Sequence, residues 1–279
     1  MSGEYDLHTH SAVSDGTDRP AELVRKAKRL GLKAIAICDH DTFGGLAEAR
    51  TAAAAVGIKF LAGVEITTDL GASVHLLGYG CDSENQTLNK LLAANRQAKD
   101  DRTPRILAKL AELGMPLSME DVRKWAPEHA AIQRPHIADA MVAAGYVVNR
   151  DEAFAKYISE TGPAYVPSVG AELPLAVRAV REAGGVPVIA HPWSRGSREV
   201  LDEGAIAWLA DLGLLGIEAD HPDHSAEDRE GLRKIAKHLD LLVTGSSDHH
   251  GKGKTRNPLG ACSTAPEVFE EIVDMAARP

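Results

Sequence analysis

Cysteine is scarce in this sequence, and the three residues present, Cys38, Cys81 and Cys262, lie far apart. Because three is an odd number, the sequence predicts no disulfide framework. None of them belongs to a CxxC pair, which argues against a zinc site built from thiolates. Long apolar runs are also missing, since no stretch approaches the roughly 18–20 apolar residues that span a bilayer. The first residues, Met-Ser-Gly-Glu-Tyr-Asp, lack the basic and apolar regions of a signal peptide. We therefore expect a cytoplasmic protein without membrane contact.

Basic residues are outnumbered by acidic ones, 31 to 40, and the formal net charge is −9. This balance argues against binding of long duplex nucleic acid, which depends on neutralising phosphates. A small phosphorylated ligand is still compatible with it, because a few local Arg and Lys residues suffice. At 279 residues and 44% hydrophobic content, the chain can form one large core. Histidine, with 12 residues, is abundant.

Short β-rich runs alternate with amphipathic helical stretches through most of the chain. The predicted strands are Glu4–His10, Lys33–His40, Ile58–Thr67, Ser73–Gly80, Val186–His191, Gly216–Asp220 and Leu241–Ser246. Repeated β-then-α units indicate a mainly parallel sheet with right-handed crossovers. The fold class is therefore α/β, with an α/β barrel as the prediction and an open doubly wound sheet as the alternative.

The alternation stops near Ser83, beyond which only helical patterns occur until about Ser159. Breaks at Gly114–Pro116, Pro127 and Gly145 separate the predicted helices. We expect residues 1–82 and 164–279 to form the barrel domain. Residues 83–163 are then a helical insertion that lies over the barrel mouth as a lid.

Residues able to bind metal ions fall at or near the predicted strand ends. They are His8 and His10 at the end of the first strand, Asp15 in the loop that follows, His40 at the end of the second strand, Glu65 near the end of the third, His75 in the fourth, His191 at the end of a later strand, and Asp248 and His250 directly after the last. In an α/β barrel the carboxyl ends of the strands open onto one face, where active sites are built. We therefore expect these side chains to meet.

The spacing and the residue types both favour metal binding. Residues i and i+2 of a strand point to the same side, so His8 and His10 can reach one ion, and Asp248 and His250 can do the same. Imidazole and carboxylate ligands favour manganese, iron or zinc over copper. Burying so many ionisable groups together without a cation would be very unfavourable. For His75 taken alone, a satisfied core histidine remains the alternative.

The motifs that contain these residues resemble those of the PHP family, named for polymerase and histidinol phosphatase. They are Asp6-Leu7-His8-Thr9-His10, Ser14-Asp15-Gly16, Cys38-Asp39-His40-Asp41-Thr42, Gly63-Val64-Glu65, Ala190-His191-Pro192 and Ser247-Asp248-His249-His250. In this order the set is highly specific, and it covers nearly the whole chain. The resemblance implies a distorted, TIM-like (β/α)7 barrel with two or three divalent metal ions. Manganese is preferred, with iron and zinc as alternatives.

The resemblance also implies how the ligands are shared. The first metal would take His8, His10, Glu65 and Asp248; the second would take Glu65 as a bridge, with His75 and His191; the third would take Asp15, His40 and His250. No motif ligand is missing, which argues against a degenerate copy.

Two further segments resemble the stand-alone PHP phosphoesterases that act on nucleotides. They are Arg134-Pro135-His136 in the insertion and Glu218-Ala219-Asp220-His221-Pro222-Asp223-His224. Some of those enzymes remove the 3′-phosphate from nucleoside 3′,5′-bisphosphates, and others degrade short RNA from its 5′ end. The resemblance to histidinol phosphatases is weaker. We expect a phosphatase for small nucleotides, with an exoribonuclease acting on short 5′-phosphorylated RNA or a histidinol-phosphate-type phosphatase as alternatives. A metal-binding accessory module without activity is the competing class.

Metal ions lower the pKa of bound water and can align an attacking and a leaving oxygen. We therefore expect a hydroxide that bridges the metals to attack phosphorus, with Glu65 setting the distance between the ions. Arg134 and Arg195 are candidate phosphate contacts, and His136 is a candidate substrate contact. The alternatives are a helix-surface pairing for Arg134 and a helix-start role for His136. His221 is a candidate general acid, or else an exposed loop histidine.

Two other groups have open roles in the sequence. Asp39 should point away from its neighbour His40 and is predicted to be a supporting or structural acid. The basic loop of Lys252, Lys254 and Arg256 either attracts a second phosphate or is simply solvated.

Overall fold

The computed structural model describes residues 4–127, 130–167, 170–194 and 196–276. Within these ranges the strands are β1 (Tyr5–Asp6), β2 (Ala34–Ile37), β3 (Lys59–Asp69), β4 (Ser73–Tyr79), β5 (Ala171–Glu172), β6 (Val186–Ala190), β7 (Gly216–Asp220) and β8 (Leu242–Gly245). The α-helices are α1 (Pro20–Arg29), α2 (Leu46–Val56), α3 (Gln86–Glu112), α4 (Met119–Arg123), α5 (Arg134–Ala143), α6 (Arg150–Ala153), α7 (Leu173–Glu182), α8 (Glu203–Asp211), α9 (Ala226–His238) and α10 (Pro266–Ala276). A π-helical turn at Phe154–Ile158 continues α6.

Seven strands form a nearly closed, barrel-shaped sheet in the order β1-β2-β3-β4-β6-β7-β8, and the short β5 pairs with β3 outside this path. The first and last strands approach each other, since Thr9 forms a parallel bridge with His249. The His10 N–H donates to the His249 carbonyl at 2.9 Å, which fastens this seam. The α/β barrel prediction is confirmed, and the open doubly wound sheet is wrong.

One strand runs against the others. β4 is antiparallel to both of its neighbours, β3 and β6, whereas the remaining neighbours in the barrel pair in parallel. The link between β3 and β4 is short, with Gly71 at a positive φ of 82°. A short link allows only a hairpin, because a parallel pair needs a crossover of a dozen or more residues.

The strand β2, in the barrel wall, is apolar on both faces. All four residues of β2, Ala34–Ile37, are buried, as expected for a strand covered on both sides. Ile35 and Ile37 pack in one cluster with Leu23 of α1 and Ala49 of α2. This rigid wall fixes the strand ends from which the site is built.

The second half of α3 and the helices α4 to α6 share a hydrophobic core of their own, whereas Leu88 and Leu92 of α3 pack with the barrel. Leu110 of α3, Ile137 and Met141 of α5, and Ile158 lie in one buried cluster that the barrel strands do not join. A helical segment was expected here, and its bounds of 83 and 163 stay a prediction. Among the described residues, no helix has both the length and the apolar character needed to cross a lipid bilayer.

Candidate metal centre

One end of the barrel brings together side chains from segments that are far apart in the sequence. His8 and His10 follow β1, His40 follows β2 and His191 follows β6. Glu65 lies within β3, where its backbone forms a parallel bridge with His40. The carboxyl ends of the parallel strands therefore supply most of the candidates.

His75 reaches the same end by the opposite route. It is the third residue of β4, and it pairs with Thr67 of β3 and with Ala190 of β6. Because β4 is antiparallel, the start of this strand lies beside the carboxyl ends of its neighbours. The direction of β4 thus places His75 with the other candidates.

The first group of potential ligands consists of His8, His10, Glu65 and Asp248, all buried, with ligand atoms within 4.8 Å of one another. Glu65 Oε2 lies 3.4 Å from His8 Nε2 and 3.1 Å from His10 Nε2. Asp248 Oδ1 lies 3.6 Å and 3.3 Å from the same two nitrogens. The two Nε2 atoms are 3.1 Å apart. These are the four residues that the family motifs assign to one ion.

Glu65 also contacts the second set of histidines. Its Oε1 lies 2.7 Å from His75 Nδ1 and 3.0 Å from His191 Nε2, while Oε2 lies 3.2 Å from His40 Nδ1. The two oxygens of one carboxylate thus face different histidines. This is the geometry that a bridging ligand requires.

A third group surrounds Asp15. The ligand atoms of Asp15, His10, His40 and His250 lie within 4.8 Å of one another. Asp15 Oδ1 is 3.4 Å from His250 Nε2, and Asp15 Oδ2 is 3.8 Å from His40 Nε2. The grouping by distance differs slightly from the motif assignment, since it adds His10 here and places His40 beside Glu65 and His75.

The carboxylates of this cluster are held in the ionised form. Burial alone would raise the pKa of Glu65, but the charges of His40 and His75 outweigh it and lower that pKa well below its usual value. The pKa of Asp248 is also lowered well below its usual value, because Lys254 and His250 outweigh burial. Burial works against the charged form of His10, yet hydrogen bonds to Asp248 and Glu65 raise its pKa to about 9. The charged forms of the carboxylates and of His10 therefore favour one another, and a bound metal would take the place of the proton on His10.

The cluster fits divalent ions by chemistry and by spacing. Ligands about 2.0–2.2 Å from a shared ion lie about 3.0–3.5 Å from one another, close to the separations in the first group. His10 Nδ1 is buried without a hydrogen-bond partner among the described residues, and His40 Nδ1 has only its ion-pair contact with Glu65, although buried polar atoms normally form a hydrogen bond. An ion would satisfy such nitrogens.

Two of the candidate ligands have an uncommon backbone conformation. His191 has a φ of 28° and Asp248 a φ of 51°, both in the region that favours glycine. Such strain persists only where the surrounding structure enforces it, and it is concentrated at functional sites. It turns both side chains out of the strand direction toward Glu65 and His10.

A second layer of acids supports the ligands. Glu218, in β7, lies 3.1 Å through Oε1 from His8 Nδ1, and its Oε2 accepts the His191 N–H at 2.8 Å. Burial opposes its ionisation, but the neighbouring His8 lowers the pKa of Glu218 to about 2. A carboxylate on the distal nitrogen of a ligating histidine fixes the ring and raises its basicity.

Asp39 lies in a different position from the ligands, as expected from its alternation with His40. Its carboxylate accepts hydrogen bonds from Ser11 N at 2.8 Å, Ser11 Oγ at 2.6 Å and Ser14 Oγ at 2.7 Å. It therefore holds the loop that carries Asp15.

His221, the predicted general acid, lies beside Asp248, a proposed metal ligand. His221 is fully buried, and its Nε2 lies 3.3 Å from Asp248 Oδ2, while its Nδ1 accepts from the Asp223 N–H at 3.1 Å. This arrangement lets it orient Asp248. The alternative of an exposed loop histidine is wrong. Its role as a general acid stays a prediction.

Arg134 is the first residue of α5 and lines a cavity that opens beside the proposed metal ligands. Its guanidinium lies 5.7 Å from the ring centres of Phe154 and Tyr165, and Nη1 donates to the Ile158 carbonyl at 3.3 Å. His136 is buried in the first turn of α5, where its Nδ1 accepts from the Gln133 N–H at 3.0 Å, the helix-start geometry. Arg195 lies outside the described residues.

A cavity of about 850 Å³ extends from the proposed metal ligands to the helices of the insertion. Asp15, His40, His75 and His250 line it at the barrel end. The cations that line it are Lys99, Arg102, Arg134, Arg150, Lys254 and Arg256. Carboxylates already engage some of these: Lys254 Nζ lies 2.6 Å from Asp248 Oδ2, and Arg150 forms two hydrogen bonds with Asp139.

The roles of Glu218, as a residue that supports the ligands, and of Arg102 were not predicted from the sequence. A glutamate inside the apolar strand Gly216–Asp220 was the available signal for Glu218, because buried charges are normally paired. Arg102 lies on a helix whose pattern resembles any exposed surface, so no local signal distinguished it.

The comparisons with known proteins agree with this geometry. The family model described as the PHP domain matches residues 6–116. A Haemophilus influenzae protein named 5′-3′ exoribonuclease is 34% identical over 259 residues, which cover 90% of this chain and 91% of that protein. A Chromobacterium violaceum protein named 3′,5′-nucleoside bisphosphate phosphatase is 34% identical over 271 residues, covering 96% and 94% respectively. This chain belongs to the PHP family.

A solved structure extends the agreement to nearly the whole chain. A Bifidobacterium adolescentis protein described as a metal-dependent phosphoesterase superposes with a TM-score of 0.94 and 39% identity, covering 99% of this chain and 97% of that one. The PHP protein described here is accordingly a metal-dependent phosphoesterase, and the alternative of an accessory module without activity is wrong.

Proposed function

We propose that this enzyme hydrolyses the 3′-phosphate of nucleoside 3′,5′-bisphosphates, such as adenosine 3′,5′-bisphosphate. The observation that carries the proposal is the cavity, which has the ligand cluster at one end and guanidinium groups at the other. A substrate with two phosphates matches both ends. The relative from Chromobacterium violaceum, named 3′,5′-nucleoside bisphosphate phosphatase, adds support.

We further propose that His8, His10, Asp15, His40, Glu65, His75, His191, Asp248 and His250 hold two or three divalent ions, with manganese preferred. When bound, such ions activate water and stabilise the charge that develops on phosphoryl oxygens. The residues contribute the rest. Glu65 keeps the two histidine sets at a fixed separation, and Glu218 keeps the ring of His8 aligned for binding through Nε2.

The far end of the cavity supplies the second anion contact. Arg102 is partly buried and lines the cavity, and no hydrogen bond or ion pair joins it to another of the described residues. Burial and the neighbouring charge of Arg134 lower the pKa of Arg102 to about 10. Two like charges held side by side in a cavity favour an anion between them, and guanidinium groups bind phosphate bidentately.

A second candidate is 5′-3′ exoribonuclease activity on short 5′-phosphorylated RNA. The cavity volume of about 850 Å³ lies toward the upper end of the roughly 300–1,000 Å³ range of small-molecule pockets, which is compatible with a ligand longer than one nucleotide. The Haemophilus influenzae relative has that name. In both reactions a terminal 5′-phosphate would face the arginines while the next phosphate lies at the metals.

Cytoplasmic location stays a prediction from the sequence.

The test is a product assay. Metal-stripped protein is reloaded with manganese and incubated with adenosine 3′,5′-bisphosphate, and the products are separated by chromatography. We expect phosphate and adenosine 5′-monophosphate, with none from an Asp248→Asn variant. Release of the 5′-phosphate instead, or no release with manganese, iron or zinc, would contradict the proposal. A 5′-phosphorylated RNA oligomer in a parallel reaction tests the second candidate, which predicts mononucleotides.

A further inference from the structure

A buried carboxylate joins the metal-bearing end of the barrel to the insertion. Asp41 directly follows His40, is fully buried, and has a φ of 53°. Its N–H donates to the Glu65 carbonyl at 2.9 Å. The backbone of Asp41 is thus tied to one proposed ligand and is adjacent to another.

The carboxylate of Asp41 accepts four hydrogen bonds. On the barrel side, Oδ1 accepts from Thr67 N at 3.0 Å and Oδ2 from Thr67 Oγ1 at 2.9 Å. On the insertion side, Oδ1 accepts from Asn95 Nδ2 at 2.8 Å and Oδ2 from Lys99 Nζ at 2.7 Å. Both insertion donors belong to α3. One carboxylate therefore fixes α3 against the strand that carries Glu65.

Lys99 extends this connection toward the far wall of the cavity. Its Nζ also donates to Gln133 Oε1 at 3.4 Å, and Gln133 immediately precedes Arg134. Lys99, Gln133 and Arg134 all line the cavity. The path from His40 to Arg134 thus passes through Asp41, Lys99 and Gln133.

We propose that Asp41 and Lys99 are positioning residues that set the distance between the metal ligands and the phosphate-binding wall of the insertion. The proposal rests on the proposed function, because that distance matters only for a substrate that spans the cavity. A nucleoside bisphosphate reaches both ends, whereas a small aryl phosphate is held at the metals alone. Lys99 acts through Asp41 and Gln133, with its charge already satisfied by the carboxylate.

The experiment is a double-mutant cycle. The variants Lys99→Met, Asp41→Asn and the double variant are assayed with adenosine 3′,5′-bisphosphate and with p-nitrophenyl phosphate, at temperatures well below each melting midpoint. We expect Lys99→Met to raise KM for the bisphosphate about 10-fold, the scale of a hydrogen bond to a charged group. Its effect on p-nitrophenyl phosphate should be several-fold smaller. In the Asp41→Asn background, Lys99→Met should add little, because contacting residues that act together are not additive.

Two results would overturn the inference. If Lys99→Met raises KM equally in the Asp41→Asn background, Lys99 binds the substrate by itself. If Lys99→Met lowers the turnover of both substrates by the same factor, in proportion to a lowered melting midpoint, Asp41 and Lys99 have only a structural role. Should Lys99→Met fail to fold, Thr67→Val removes one hydrogen bond from Asp41 at nearly constant volume and is expected to show the same difference between the substrates.

Controls separate this inference from the proposed function. Lys156→Met breaks an exposed pair with Glu152 on the same insertion and should leave both substrates unaffected. A wild-type protein that hydrolyses neither substrate rejects the proposed function itself. If the wild-type protein hydrolyses the bisphosphate but the effects of the two substitutions on KM are additive, only the proposed role of Asp41 and Lys99 is rejected.

Discussion

Glu218 and His8 lie in contact at the base of the site, with Oε1 of the carboxylate 3.1 Å from Nδ1 of the ring. Both side chains are fully buried. Because Nδ1 is occupied in this way, Nε2 is the nitrogen that faces Glu65 and Asp248. The orientation of one proposed ligand is therefore set by a residue of another strand.

Glu218→Gln should weaken metal binding by about 10–100-fold, the usual cost of losing a carboxylate behind a ligating histidine. Manganese affinity measured by calorimetry on stripped protein checks this, and turnover should largely recover at saturating metal. Glu203→Gln is a matched control, since Glu203 contacts His238 Nδ1 at 2.6 Å on the exposed surface. Equal affinities for the two variants would contradict the supporting role of Glu218.

Manganese should raise the melting midpoint of the stripped protein, because an ion that binds only the folded state stabilises it. At 100 times the dissociation constant, the gain is about 2.7 kcal/mol, or roughly 5 °C for a chain of this size. Scanning calorimetry across a manganese titration measures it. Asp248→Asn should abolish the shift, and Asp211→Asn, on the surface of α8, should keep it. A shift that persists in Asp248→Asn would mean that the stabilising ion binds elsewhere.

Arg102→Met should raise KM for adenosine 3′,5′-bisphosphate by about 10–100-fold, because it removes a charge-assisted contact with the second phosphate. Its effect on adenosine 3′-monophosphate should be much smaller, since that compound has no phosphate for this end of the cavity. Steady-state kinetics with the two compounds gives the ratio. Arg198→Met serves as the control, because Arg198 stacks on Trp193 and pairs with Asp228 at the surface. Equal losses for both compounds would argue against a phosphate contact at Arg102.

Gly253→Ala should destabilise the protein by about 1 kcal/mol and raise KM for the bisphosphate. A Cβ at this position would collide with the guanidinium of Arg150, which cannot withdraw freely because Asp139 binds it through two hydrogen bonds. Denaturant unfolding and kinetics measure the two effects. Gly204→Ala, in α8, has no such neighbour and should be neutral or slightly stabilising. An unchanged midpoint in Gly253→Ala would show that Arg150 adjusts without cost.

The sequence predicted the barrel because its strands are short, apolar and separated by helical patterns, and these features depend on local residue order alone. It also grouped His8, Glu65 and Asp248, since all lie near strand ends. It could not show that β4 runs antiparallel, because alternation along Ser73–Tyr79 is the same in either direction. The roles of Glu218, Asp41 and Lys99 could not be predicted from the sequence. Each role depends on a partner in another helix or strand, and a single charged residue leaves no periodic pattern that would identify its partner.

The seam of the barrel is fastened by residues from opposite ends of the described chain. Asp6 accepts hydrogen bonds from Ser247, 241 residues later, and Asp248 lies beside His8 and His10. During synthesis, a ribosome would have released the first histidines long before Asp248 emerged. The complete ligand set of the first group therefore exists only once the final strand has docked, so the capture of that ion would mark the end of folding.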